Sequence, residues 1–282
     1  MFTTLITVEQ LAESSAHTDW LVVDCRFDLS RPEAGQAAYR AGHIPNSIYA
    51  HLDRDLSGPI TETTGRHPLP TPAAFAATLG TWGVTADTQV IAYDADTGVY
   101  AARLWWLLRW AGHQRVAVLD GGLRAWRSHP VPVTDQPTAA RVPTLLQASP
   151  AAGLWLDSTA VSMRTGDADW RLLDARAAER FSGSVEPIDR IAGHVPGARN
   201  LPFASSLDAA GRFLPAAQLH AQFTALQSGV ADERTIAMCG SGVTACHLLL
   251  AMEIAGKRGA HLYAGSWSEW IRDPQRPVAT GT

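Results

Sequence analysis

Short apolar runs that close on an Asp-x-Arg triplet occur twice along this chain, as Trp20-Leu21-Val22-Val23-Asp24-Cys25-Arg26 and as Trp170-Arg171-Leu172-Leu173-Asp174-Ala175-Arg176. Runs of that length with little polar alternation predict strands buried on both faces. Val90–Tyr93 and Thr235–Met238 have the same character. Each is followed by a glycine-containing loop and then by a longer apolar segment, Ala101–Ala111 and Thr244–Ala255, which predicts a helix. Strands alternating with helices build βα units, so the pattern predicts an α/β fold with a largely parallel sheet covered on both faces.

The order of these signals repeats. Ala41-Gly42-His43-Ile44-Pro45 returns as Ala192-Gly193-His194-Val195-Pro196, the histidine standing 19 residues past Asp24 and 20 past Asp174. Gly98 lies 23 residues before Gly121 and Gly242 lies 23 before Gly265, and a tryptophan, Trp126 or Trp270, follows five residues after each later glycine. One such coincidence is ordinary for α/β chains, but several in one order indicate an internal duplication. Residues 128–153, rich in proline and poor in apolar periodicity, read as a linker. The expected domains are 1–135 and 150–282.

A net charge of −4 without a run of Lys or Arg argues against nucleic acid as a partner. The first residues lack the basic and apolar regions of a signal peptide, and no apolar segment is long enough to span a bilayer. The expectation is therefore no membrane association and a cytoplasmic location. Three cysteines, Cys25, Cys239 and Cys246, show no C-x-x-C spacing, so neither a disulfide framework nor a zinc site is indicated.

Cys239 stands where a strand hands over to a helix, in Cys239-Gly240-Ser241-Gly242-Val243-Thr244. In parallel sheets the working site lies at the carboxyl ends of strands. The glycines permit a tight path that turns backbone N–H groups inward, Ser241 and Thr244 add hydroxyl donors, and the helix aims its positive end at the sulfur. Together these favour a thiolate nucleophile over a buried structural thiol. Cysteine phosphatases share such a cradle but need an arginine six positions on, and that position is Ala245.

With these features in place, the chain resembles the tandem rhodanese family over nearly all its length. That resemblance implies two tandem rhodanese-like domains, each a five-stranded, mainly parallel sheet flanked by helices, with a nucleophile in the second only. Asp94-Ala95-Asp96-Thr97-Gly98 stands in the first copy where the second has Cys239–Gly242. Within the family, the loop Cys-Gly-Ser-Gly-Val-Thr is similar to that of the 3-mercaptopyruvate branch, whereas thiosulfate-preferring members usually carry two basic residues after the cysteine. A dianion needs cations beside the sulfur, while mercaptopyruvate holds its carboxylate farther away.

The implied activity is sulfur transfer from 3-mercaptopyruvate through a Cys239 persulfide, releasing pyruvate. The acceptor would be a thiol, such as thioredoxin or a low-molecular-weight thiol, or cyanide. Arg180 matches a carboxylate-binding arginine of the family, and Arg190 matches a second with its register displaced by about a residue. Gly240, Gly242, Val243 and Thr244 would line the substrate. The resemblance assigns Asp53 and His67 to a substrate cleft and, with Ser241, to a relay that manages the proton; a turn-capping role for His67 before Pro68 stays open. No metal or organic cofactor is called for. Thiosulfate sulfurtransfer, or a non-catalytic module that binds partners or relays a persulfide, are the alternatives. Asp24, Asp174, His43 and His194 occur in both copies and are therefore expected to serve the fold, and Cys246 to pack in the core.

Overall fold

The computed structural model describes residues 1–14 and 19–281. The chain divides into two compact units. Met1–Gly58, Pro70–Ala151 and Ala209–Arg212 make the first; Pro59–Leu69, Ala152–Asp208 and Phe213–Thr282 make the second.

In the first unit, strands β1 (Leu5–Ile6), β2 (Trp20–Asp24), β3 (Ser47–Tyr49), β4 (Gln89–Tyr93) and β5 (Val116–Leu119) alternate with helices α1 (Val8–Glu13), α2 (Ala34–Ala41), α3 (Leu52–Asp55), α4 (Pro72–Thr81), α5 (Val99–Trp110) and α6 (Gly122–Arg127). The sheet order is β1-β5-β4-β2-β3, all parallel.

The second unit repeats this with β6 (Trp155–Leu156), β7 (Arg171–Asp174), β8 (Arg199–Asn200), β9 (Thr235–Met238) and β10 (His261–Tyr263). Its helices are α7 (Ser158–Ser162), α8 (Ala178–Ser182), α9 (Ala216–Gln227), α10 (Thr244–Ile254) and α11 (Ser266–Trp270). The order β6-β10-β9-β7-β8, again parallel, is that of the first sheet. Every residue of β4 and of β9 is buried, which is why these strands read as unbroken apolar runs. The predicted helices fall within two residues of α5 and α10, and nearly all of α10 is buried, including Cys246. Trp105, Trp106 and Trp110 of α5 are core residues, 3%, 4% and 4% exposed.

The duplication extends to individual hydrogen bonds. Asp24 and Asp174, both fully buried, each accept from the arginine two residues on, Nη2 to Oδ2 at 2.6 and 2.7 Å. The same guanidinium nitrogen then donates to the carbonyl of Gly42 or Gly193, 2.8 Å away in both copies. His43 and His194 stack on Tyr39 and Phe181 and bond their backbone carbonyls through Nδ1 at 2.7 and 2.9 Å. Trp126 and Trp270 donate Nε1 to Pro132 and Pro277. A buried carboxylate needs such complete pairing, so these residues hold the two folds together and carry no signature of the chemistry.

The proline-rich stretch is not a free tether. Thr134 pairs with His43, Thr144 donates to Gly80, and Ser149 and Ala151 donate to Ala111 and Trp110, so residues up to Ala151 belong to the first unit. Proline removes backbone donors and so prevents strand formation, but the remaining amides still find partners along the unit. Among the described residues no helix is long and apolar enough to cross a membrane.

Candidate active site

Cys239 follows the last residue of β9 and is 2% exposed. Its backbone is clamped: its N–H donates to Ser266 Oγ at 3.0 Å, and its carbonyl accepts from Trp267 at 3.0 Å. The loop then folds back, so that the N–H of Gly242 donates to Cys239 Sγ at 3.2 Å. Gly242 has φ of +78°, and a Cβ there would meet the Ala264 carbonyl oxygen at 2.2 Å. Only glycine closes the loop this tightly on the sulfur. Val243 and Thr244 bring the chain into α10, whose N-terminus therefore faces the thiol.

The first unit has a junction of the same kind. Asp94 follows β4 as Cys239 follows β9, and its carboxylate accepts from the N–H groups of Asp96, Gly98, Tyr100 and Ala101 at 2.9–3.3 Å. A strand-loop-helix junction of the same design thus turns several backbone donors onto one buried side chain. Burial still pushes the Asp94 carboxyl above its ordinary range, the four amides working against it.

Two guanidiniums stand over the second loop. A Cβ at Gly240 would lie 2.9 Å from Arg66 Nη2 and 3.5 Å from Arg180 Nη1, so the bare backbone there makes room for both. Arg180 Nε bonds both oxygens of Glu186 at 3.1 Å, and its Nη2 bonds Asp189 at 2.9 Å. Arg66 donates through Nη1 to Asp189 and through its backbone N–H to Ser268 Oγ. Its Nε is buried without a partner. His67, 5% exposed, places Nδ1 2.8 Å from Ser241 Oγ, two residues beyond Cys239.

Of the expected site residues, Cys239, Gly240, Ser241, Gly242, Val243, Thr244, His67 and Arg180 come together here. Arg190 does not join them: it is exposed and donates to the carbonyl of Ile271. The reason lies in the preceding turn, where Glu186 accepts from the amides of Ile188 and Asp189, turning Asp189 inward to the guanidiniums. Arg66 supplies the second cation instead. Asp53 lies on α3 of the first unit, exposed, with its N–H on His51 Nδ1.

The sequence reading missed Arg66, Asp189 and Ser266. Ser266 holds a left-handed backbone, φ +54°, while its hydroxyl accepts from the Cys239 amide and donates to the Tyr263 carbonyl. The first copy has Gly122 at this place, also at positive φ, so the repeat carried a signal in the exchange of glycine for serine. Cys25 has no comparable setting, because burial pushes its thiol up and Asp24, Asp94 and Asp55 push it further. Cys246 donates its thiol to the Gly242 carbonyl at 3.2 Å.

Burial opposes ionisation of Glu186, but the hydrogen bonds from Arg180 and from the amides of Asp189 and Ile188 outweigh it and hold its carboxyl below the usual range. A carboxyl whose folded value is depressed adds stability above its unfolded value and loses it as pH falls through the folded one. Glu186→Gln should therefore cost about 2 kcal/mol at neutral pH, and the difference from the parent should vanish in acid. Thermal melts of both proteins from pH 7 downward check this; a constant difference at every pH contradicts it.

The rhodanese-like domain model matches residues 7–129 and 158–273. A "Probable 3-mercaptopyruvate sulfurtransferase" of Pseudomonas aeruginosa is 49% identical over 98% of each chain. The thiosulfate sulfurtransferase of Bos taurus is 31% identical, covering 100% of this chain and 97% of that one. Among solved structures, SseA from Escherichia coli, described among the 3-mercaptopyruvate sulfotransferases, superposes with a TM-score of 0.81 at 30% identity over 95% of this chain and 100% of its own. The 3-mercaptopyruvate sulfurtransferase from Leishmania major gives 0.84 at 28% identity, covering 96% and 76%. Two matches to one domain model, in the two halves that already share topology and hydrogen bonds, decide the matter: this chain belongs to the rhodanese-like family in its tandem form.

Proposed function

We propose that the protein is a 3-mercaptopyruvate sulfurtransferase with Cys239 as its sulfur carrier. The Cys239 thiolate attacks the sulfur of mercaptopyruvate; an Sγ–S bond forms as the substrate's C–S bond breaks, and its electron pair leaves on the carbon that becomes the methyl of pyruvate once protonated. A thiol such as thioredoxin or a small thiol, or cyanide, then takes the outer sulfur and restores the thiolate, a two-step exchange. The Gly242 N–H on the sulfur is the observation that carries this reading, because it stabilises the anion before the reaction and the inner sulfur after it.

Arg180 and Arg66, over Gly240, suit a substrate carboxylate one carbon skeleton away from the sulfur. His67 and Ser241 form a hydrogen-bonded pair able to pass a proton to or from the reacting sulfur and carbon. Asp53 enters the relay on the family resemblance alone. The relative that is 49% identical is named for mercaptopyruvate, which supports that donor. Gly240–Thr244 carry no basic side chain, which ranks thiosulfate second. Three free thiols fit a reducing compartment, and we place the protein in the cytoplasm.

The test is a comparison of kcat/KM for the two donors with cyanide as acceptor. Faster turnover of mercaptopyruvate, with pyruvate formed in proportion, is expected; preference for thiosulfate would transfer the function to the other donor. No turnover of either donor would leave a binding or relay module.

A further inference from the structure

The two arginines beside Cys239 are already matched in charge by carboxylates of the protein itself. Asp189 bridges them, accepting from Arg66 Nη1 and from Arg180 Nη2, and its side chain is 4% exposed. Glu186, 3% exposed, takes the Nε edge of Arg180. Two cations and two anions leave the cluster without net positive charge. It still has directed donors: Arg66 Nε is buried without a partner, and Arg66 Nη2 and Arg180 Nη1 face the backbone at Gly240. Such a cluster offers hydrogen bonds to one carboxylate but gives little return for a second negative charge, which Asp189 repels at short range.

We infer that Asp189 is a specificity-determining residue: by neutralising and orienting Arg66 and Arg180, it selects a monoanionic sulfur donor over a dianionic one. This rests on the reading of the Cys239 loop as the place where mercaptopyruvate gives up its sulfur. It also explains how a loop with two guanidiniums overhead avoids becoming a general site for thiosulfate, since rejecting the wrong partner requires a repulsive element as well as an attractive one. Asp189 touches neither donor in this account and acts through the arginines it holds.

The experiment compares wild type, Asp189→Asn and Asp189→Glu. Asparagine keeps the shape and one acceptor but removes the charge; glutamate keeps the charge. The ratio of kcat/KM for thiosulfate to that for mercaptopyruvate should rise about tenfold or more in Asp189→Asn and return toward the wild-type ratio in Asp189→Glu. A purely structural role would lower both donors together and leave the ratio where it was, which overturns the inference. Protection of Cys239 from alkylation provides a readout free of turnover, with pyruvate as the monoanion and sulfate as the dianion. Asp189→Asn should strengthen protection by sulfate relative to pyruvate by a similar factor, and an unchanged ratio again overturns the inference. Were wild type to release no pyruvate while this protection ratio still shifted, the proposed reaction would fall and the charge selection would stand.

Discussion

Cys239→Ser is expected to lower sulfur transfer by about three orders of magnitude or more while the protein folds as before. A hydroxyl cannot carry a sulfane sulfur, and it ionises far less readily than a thiol, so neither step of the exchange survives. The fold should tolerate the change because the Gly242 N–H that donates to Sγ can donate to an Oγ, and the backbone clamps to Ser266 and Trp267 do not involve the side chain. The melting transition should move by no more than about 1 kcal/mol in stability. Residual activity of even a tenth of the parent's would require a different carrier. Cys25 and Cys246 are poor substitutes: burial and the neighbouring carboxyls of Asp24, Asp94 and Asp55 push the Cys25 thiol up, and Cys246 lies within α10 with its thiol donated to the Gly242 carbonyl.

Gly242→Ala should damage both stability and chemistry. The added methyl would sit 2.2 Å from the Ala264 carbonyl oxygen, a backbone atom that cannot swing away, and the left-handed φ adds its own penalty. Together these should cost about 3 kcal/mol. Relief of the clash moves the Gly242 N–H off the sulfur, so kcat should fall about a hundredfold in whatever protein remains folded, the usual loss when one oriented donor is removed. Gly229→Ala separates the two contributions: its φ is +87°, yet a Cβ there meets nothing within 4 Å. It should lose only about 1 kcal/mol and keep full activity. Equal losses at both positions would mean that the loop has no special need for closeness at Gly242.

Much of this architecture was legible in the sequence because it depends on local rules applied twice. Buried parallel strands show as apolar runs, and positions such as Asp24 and Asp174, or Trp126 and Trp270, must recur wherever the same sheet is rebuilt. The tight loop after Cys239 was legible for the same reason, since glycine spacing and a helix start are local features. Arg66 was not, although it adjoins His67, because its role depends on Pro59–Leu69 packing within the second unit; His67 and Ser241 are 174 residues apart in sequence. That Asp189 rather than Arg190 faces the guanidiniums was not legible either, because a single turn, closed by Glu186 on the amides of Ile188 and Asp189, decides which side chain faces inward. The composition of 128–153 is that of a linker because composition reports missing regular structure but not the irregular hydrogen bonds that tie Thr134, Thr144 and Ser149 to the first unit.

In the proposed reaction the sulfur of Cys239 receives a second sulfur from the donor. Intact-mass and peptide mass measurement after brief exposure to mercaptopyruvate, without acceptor, tests it directly. The peptide containing Cys239 should gain one sulfur atom that cyanide removes as thiocyanate. An unmodified Cys239 alongside released pyruvate, or the added sulfur on Cys25 or Cys246, would contradict the account.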